Sequence, residues 1–134
     1  QMEVGDTATD FEHRTFADEL AKCQRYFLRS YDYGTATGTA TSTGSQATTA
    51  AVSQSYASAG TYNFPVEMRA TPTVTLYSTA NASTTGKVSA DGTDGTGSAS
   101  FVGTNSVFIL RSNDGGGVAA NVIMKAHLIA DAEL

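Results

Sequence analysis

The feature that most constrains the fold is a series of short, β-prone segments that begins near Ala50 and is interrupted every few residues by turn formers. Glycine, asparagine and aspartate adopt positive φ at low cost and therefore end strands. Strands are predicted over 51–57, 61–68, 73–78, 86–90, 98–103, 106–111 and 118–129. Turns are predicted at Asn81, Asp91-Gly92, Asp94-Gly95, Asn105 and 113–117. Many short strands without alternating helices favour a mainly β fold, an antiparallel β-sandwich that is jelly-roll-like.

The final predicted strand has two different faces. One face is wholly apolar and consists of Val118, Ala120, Val122, Met124, Ala126 and Leu128. The other face is mixed and runs from Asn121 to His127. Because alternate residues of a strand point to opposite sides, the first face is predicted to cover the core, and the second to face solvent or a neighbouring subunit.

One short amphipathic helix is predicted before the strands. Phe16, Leu20, Cys23 and Phe27 fall on one helical face, and Thr15 with Asp18 has the form of a capping box. The helix is therefore predicted to begin at Thr15 and to end near Gln24, with a strand after it. Cys23 is the one cysteine of the chain, which excludes an intrachain disulfide, and its position on the apolar face predicts a small buried hydrophobe.

A Thr/Ser/Gly/Ala tract at 34–49 contains no large apolar side chain. Two interpretations fit it: a flexible loop or linker, or a weak Thr-rich strand within a hairpin. Either interpretation excludes a helix.

Length and charge limit the function classes. A chain of 134 residues is expected to form one main domain, and its formal net charge of -5 with dispersed basic residues disfavours nucleic acid as a partner. No apolar run approaches the ~20 residues that span a bilayer, so membrane insertion is not expected.

The sequence carries no enzyme motif that we can identify, and we expect no enzymatic activity and no cofactor. His13 and His127 have no acidic residues nearby at the spacing typical of a metal site. A capping or solvated role is expected for His13, and a strand or interface role for His127. Asp91 and Asp94 are weak candidates for calcium ligands, with a hairpin turn as the simpler interpretation. A glycosidase would need two carboxylates across a groove, and the sequence gives no sign of one.

Residues 3–27 resemble segments in structural proteins of tailed bacteriophages; their sequence is EVGDTATDFEHRTFADELAKCQRYF. In those proteins such segments lead into the C-terminal β domain of tail fibres and other virion appendages. The resemblance returns in residues 64–75 and 130–134. It implies that 1–14 form a lead-in, the end of a preceding module, and that 15–134 form the C-terminal domain. It also implies an extracellular location on the virion tail fibre.

Tips of phage tail fibres are typically trimers that bind the bacterial host surface. The resemblance therefore implies a homotrimer. It also implies a preceding fibre-shaft module and other virion proteins as partners. Its implied ligand is a host-surface polysaccharide or lipopolysaccharide. Turn amides, turn acids and tyrosines are the side chains suited to sugars, and the candidates are Tyr31, Tyr33, Asn105, Asn113 and Asp114.

The apolar helical face, Phe16, Leu20, Cys23 and Phe27, packs either on its own sandwich or on symmetry mates near the fibre axis. Two alternative functions remain: a purely structural trimerising cap or capsid decoration, and a capsule depolymerase fragment.

Overall fold

The computed structural model describes residues 14–50, 56–112 and 118–133. Within these ranges the chain forms one helix and eight strands: α1 (Phe16–Gln24), β1 (Phe27–Arg29), β2 (Gln46–Thr49), β3 (Tyr56–Asn63), β4 (Thr73–Tyr77), β5 (Lys87–Ala90), β6 (Thr93–Ser100), β7 (Ser106–Ser112) and β8 (Ile123–Asp131). All pairings between these strands are antiparallel, in the order β1-β8-β5-β6-β7-β3, and β2 and β4 also pair with β8. The predicted mainly β, antiparallel, sandwich-like fold with one short N-terminal helix is confirmed.

Helix α1 begins where its capping residue predicts. Thr15 has an extended backbone, and its hydroxyl oxygen accepts the backbone N–H of Asp18 at 3.2 Å. The same hydroxyl donates to the Asp18 carboxylate at 2.7 Å. These bonds satisfy one of the free N–H groups of the first turn and place a negative charge at the positive end of the helix. The predicted helix from Thr15 to near Gln24 is confirmed.

Strand β8 is the centre of the sheet. Its C-terminal half lies between β1 and β4, with Leu28 opposite Ala130 and Tyr77 opposite His127. Its N-terminal half lies between β2 and β5, with Ala47 and Ser89 on either side of Lys125. One strand thus pairs with four others.

The apolar face of β8 covers the core, as its alternation predicts. Met124, Ala126, Leu128 and Ala130 are at most 1% exposed. The sheet is curled, with a bulge in β3 between Ser58 and Gly60 and contacts between β3 and β2. The largest fully buried side chains are Met68, Ile109, Met124, Leu128, His127, Val88, Val107 and Val118.

The Thr/Ser/Gly/Ala tract forms three tight turns followed by β2. Backbone N–H groups of residues 35, 39 and 45 donate to the carbonyls of residues 32, 36 and 42, and the third position of each turn is a glycine with φ between 78° and 89°. Positive φ at this position is what a type II turn requires, and glycine adopts it without steric cost. The tract therefore contains hydrogen-bonded turns at 34–45 and a short strand at 46–49, which pairs with β8 and does not belong to a hairpin. The prediction that it is not helical is confirmed.

Several predicted strand bounds are wrong. The final strand begins at Ile123 instead of 118, because Asn121 has φ 62° and its N–H donates to the Ala50 carbonyl at 2.7 Å. The strand predicted over 61–68 ends at Asn63, just before Pro65, which has no N–H to donate.

Asp94-Gly95, predicted as a turn, lies inside β6. The Asp91-Gly92 turn is confirmed: both residues have positive φ and join β5 to β6 as a two-residue hairpin connection. Apart from Arg14, the predicted lead-in of residues 1–14 lies outside the described residues, as do 51–55 of the first predicted strand.

Candidate functional site

The five residues predicted to contact a saccharide do not form one site in the described structure. Tyr33 is 96% exposed in the turn after β1, and Asn105 is exposed in the connection between β6 and β7. Asn113 and Asp114 lie outside the described residues. Tyr31 is only 5% exposed, so its ring is not accessible to a sugar in this chain.

Tyr31 is instead part of the interior. Its ring stacks on the His127 imidazole, with centroids 3.8 Å apart and planes inclined by 13°. Its hydroxyl oxygen accepts the N–H of Gly38 at 3.2 Å. Burial raises the pKa of the Tyr31 hydroxyl, which keeps the group neutral. We therefore do not retain Tyr31 as a contact residue.

His127 joins three segments of the chain. Its Nε2 lies 3.1 Å from the Thr41 carbonyl, which can only accept, so Nε2 carries the proton. Its Nδ1 lies 2.9 Å from the Ser30 hydroxyl, which donates to it and itself accepts the N–H of Leu128. Burial lowers the pKa of His127, against the opposing effects of the Thr41 carbonyl and the Asp32 charge. The strand role expected for His127 is correct, but the side chain is fully buried instead of facing solvent or a subunit.

The predicted interface residues are incompletely covered within the described chain, and Phe27 lies in β1 instead of on the helix, which ends at Gln24. No residue of α1 is buried; Phe16 is 76% exposed, Leu20 41% and Phe27 44%. Cys23 is also exposed, so the prediction of a small buried hydrophobe is wrong within the single chain. The reason is that α1 has little contact with the strands, chiefly with β1.

The weak metal candidates have different environments. Both carboxylate oxygens of Asp94 are used within the chain: one accepts the Ser78 hydroxyl and the other the Asn81 side-chain amide, each at 2.7 Å. Asp91 is exposed in its hairpin turn. Over the ranges that the structure describes, no three His, Cys, Asp or Glu side chains come together as a metal site.

A depression of about 460 Å³ lies where three connections meet the start of β8. The loop after β4, the β5–β6 hairpin and the residues before Lys125 form its walls. Its lining includes Thr79, Ser89, Asp91, Asn121, Ile123 and Lys125. Of these, Asp91 was predicted as a weak metal candidate, and Asn121, Ile123 and Lys125 only as members of the mixed face of the last strand. No spacing in the sequence relates Asp91 and Ser89 to that face, because the sheet register alone brings β5 beside β8.

The charged groups of this depression are available to a ligand. Within the described residues neither Asp91 nor Lys125 takes part in an ion pair or hydrogen bond, although Lys125 is partly buried. Ser89 and Thr79 are buried beside them, and Ile123 is 52% exposed. The site thus combines a carboxylate, an ammonium group, an amide, hydroxyls and an apolar side chain.

The wall formed by the loop after β4 is held in place by hydrogen bonds. The Ser78 hydroxyl accepts the backbone N–H groups of Ala80 and Asn81, each at 3.0 Å, while it donates to Asp94. Asp94 faces Ser89 in the β5–β6 register, so this network ties the loop to the hairpin. This network therefore supports the wall of the depression.

No helix among the described residues has the length and apolar character needed to cross a membrane. Comparisons with family models, curated proteins and solved structures find nothing that matches this chain.

Proposed function

We propose that this chain is a non-enzymatic tip domain of a phage tail fibre, which trimerises and attaches the virion to a saccharide of the host surface. The proposal starts from the tail-fibre resemblance of residues 3–27 and is supported chiefly by one observation. A stripe of apolar side chains on α1 and at the start of β1, 41–76% exposed for Phe16, Leu20 and Phe27, is only partly covered within the described chain.

An exposed apolar stripe favours association between copies. Burial of large apolar side chains stabilises an association by roughly 25 cal/mol per Å² of apolar area removed from water. An exposed contiguous patch on a surface typically marks an interaction site. Placing three helices around one axis buries all three stripes with a single closed symmetry.

Trimerisation also explains how weak contacts suffice for attachment. Three copies present three equal sites, so binding of the first raises the effective concentration for the others. The polar depression beside Lys125 is the type of surface that binds a sugar with few contacts. A purely structural trimerising cap or capsid decoration needs the same α1 stripe but no ligand, so glycan binding distinguishes it.

The depression gives no support to a depolymerase. Retaining and inverting glycosidases use two carboxyl groups at a defined separation. Asp91 is the only carboxylate among the described residues that line it. Turnover of a capsular polysaccharide that is lost in Asp91→Asn would overturn the non-enzymatic proposal.

The experiment is the solution mass of the chain by light scattering, for the unaltered chain and for Leu20→Asp. We expect a trimer of about three times 13.9 kDa, and a monomer with unchanged circular dichroism for Leu20→Asp, because a buried unpaired carboxylate opposes association. Lys22→Asp is the control, since it adds the same side chain on the other side of α1 and should remain trimeric. A monomeric unaltered chain, or a Leu20→Asp trimer, overturns the proposed role of α1.

A further inference from the structure

We infer that the depression between the β5–β6 hairpin and the start of β8 is a subsite for a neutral hexopyranose unit of the host saccharide. This inference deepens the proposed function and rests on it. The site is formed by residues from separate parts of the chain, with Asp91 on the hairpin and Asn121 and Lys125 at the start of β8.

The balance of charge favours a neutral ligand. Asp91 supplies acceptors only and Lys125 donors only, and neither has a polar partner among the described residues. An acidic sugar would meet the Asp91 carboxylate, and an amino sugar would meet the Lys125 ammonium. The hydroxyls of a neutral pyranose both donate and accept, so such a ring offers hydrogen-bond partners to both side chains and to the Asn121 amide.

The apolar part of the lining suits the other surface of the same ring. Val122 and Ile123 line the depression, and the Ile123 side chain is 52% exposed. A pyranose has C–H groups on its ring faces, and these gain from contact with an aliphatic side chain. A volume of about 460 Å³ lies within the usual range for small-molecule sites.

The walls are held by hydrogen bonds within the chain itself. The Asp91-Gly92 turn closes a two-residue hairpin, and the Ser78–Asp94–Asn81 network holds the adjoining loop. Asn121 is tied by its N–H to the Ala50 carbonyl at 2.7 Å. Because little of the site must be ordered on binding, a few hydrogen bonds suffice for measurable affinity.

The test is binding of the full chain to an array of bacterial polysaccharides of defined repeat unit, neutral and uronic-acid-containing, with each signal confirmed by calorimetry. We expect the unaltered chain to bind neutral polysaccharides. Asp91→Asn and Lys125→Met should each bind at least about tenfold more weakly, the effect expected when a hydrogen bond to a charged group is lost. Asparagine tolerates the left-handed backbone of Asp91, so that variant keeps the turn.

Matched controls lie outside the depression. Lys87→Met removes the same charge from β5, and Glu67→Gln removes a carboxylate whose oxygen accepts the Thr104 hydroxyl. Both should bind as the unaltered chain does. Chemical shift changes caused by the monosaccharide of the bound polymer should centre on the Ile123 methyl groups.

The outcomes separate the two proposals. Binding that survives both Asp91→Asn and Lys125→Met, binding to acidic polysaccharides alone, or no binding to any neutral polysaccharide overturns the subsite. Light scattering of the same samples reports the trimer independently. A trimer with unaffected pocket variants therefore leaves the α1 proposal intact, and a monomer that loses glycan binding in both variants overturns the trimer only.

Discussion

Helix α1 and strand β8 are both nine residues long and both amphipathic, yet the fold treats them differently. β8 has its apolar face in the core, with Met124, Leu128 and Ala130 fully buried. α1 buries none of its residues, and Phe16 at its start is 76% exposed. Amphipathic spacing thus identifies an apolar face but not what covers it. For β8 the cover is the same chain; for α1 we propose that it is other copies.

The largest expected effect on stability comes from truncating one leucine in each element, and it should differ between the two. Leu128→Ala should lower the free energy of unfolding by about 2–5 kcal/mol at every protein concentration, because it leaves a cavity in the core. Leu20→Ala should lower stability only at concentrations where the trimer forms, and have little effect on dilution. Urea denaturation at several concentrations measures both.

Ile123→Ala is the control within β8, since Ile123 is half exposed and its truncation should cost far less than that of Leu128. If Leu20→Ala proved as costly as Leu128→Ala in dilute solution, α1 would have cover within its own chain and the comparison would fail.

A smaller effect concerns the cap of α1. Thr15→Ala removes the hydroxyl that accepts the Asp18 N–H and should cost about 1 kcal/mol. In the Leu20→Asp background, which isolates single chains, this cost should appear as faster hydrogen exchange of the α1 amides, because the helix contributes no buried residue. An equal loss of global stability, measured in urea on the same protein, would show that α1 and the sheet unfold together.

The smallest expected effect is a pH dependence that arises from β8. Because burial lowers the pKa of His127 below its ordinary value of about 6.5, the unfolded chain binds a proton that the folded chain does not. Stability should therefore be greatest above pH ~6.5 and should fall as the pH decreases through that value towards the lower folded pKa. Urea titrations between about pH 5 and 7.5 in a His13→Gln background isolate this residue. His127→Gln should remove the slope; a slope that persists would assign it to carboxylates.

Local signals in the sequence predicted local features well. The Thr15–Asp18 pair located the helix start, and Asp91-Gly92 located a hairpin. Alternation identified the core face of β8 because a strand needs only its own residues to show it. Asp94-Gly95 failed because pairing with β5 outweighs the turn preference of those residues.

The interior polar contacts and the candidate site were not predictable in the same way. Tyr31 is buried by His127, which lies almost one hundred residues further along the chain. Lys125 meets Asp91 in one depression only because β5 and β8 are neighbours in the sheet. No sequence spacing encodes these distances, since they depend on strand order and register.

The position of β8 among its partners also bears on synthesis. All four strands that pair with β8 precede it in the chain, and the pairing of Leu28 with Ala130 closes a loop of about one hundred residues. Contacts so distant in sequence form slowly. A nascent chain halted before Ile123 therefore has β1, β2, β4 and β5 without their common partner. Translation must pass the last strand before the sheet can close, and until then the open strand edges favour aggregation.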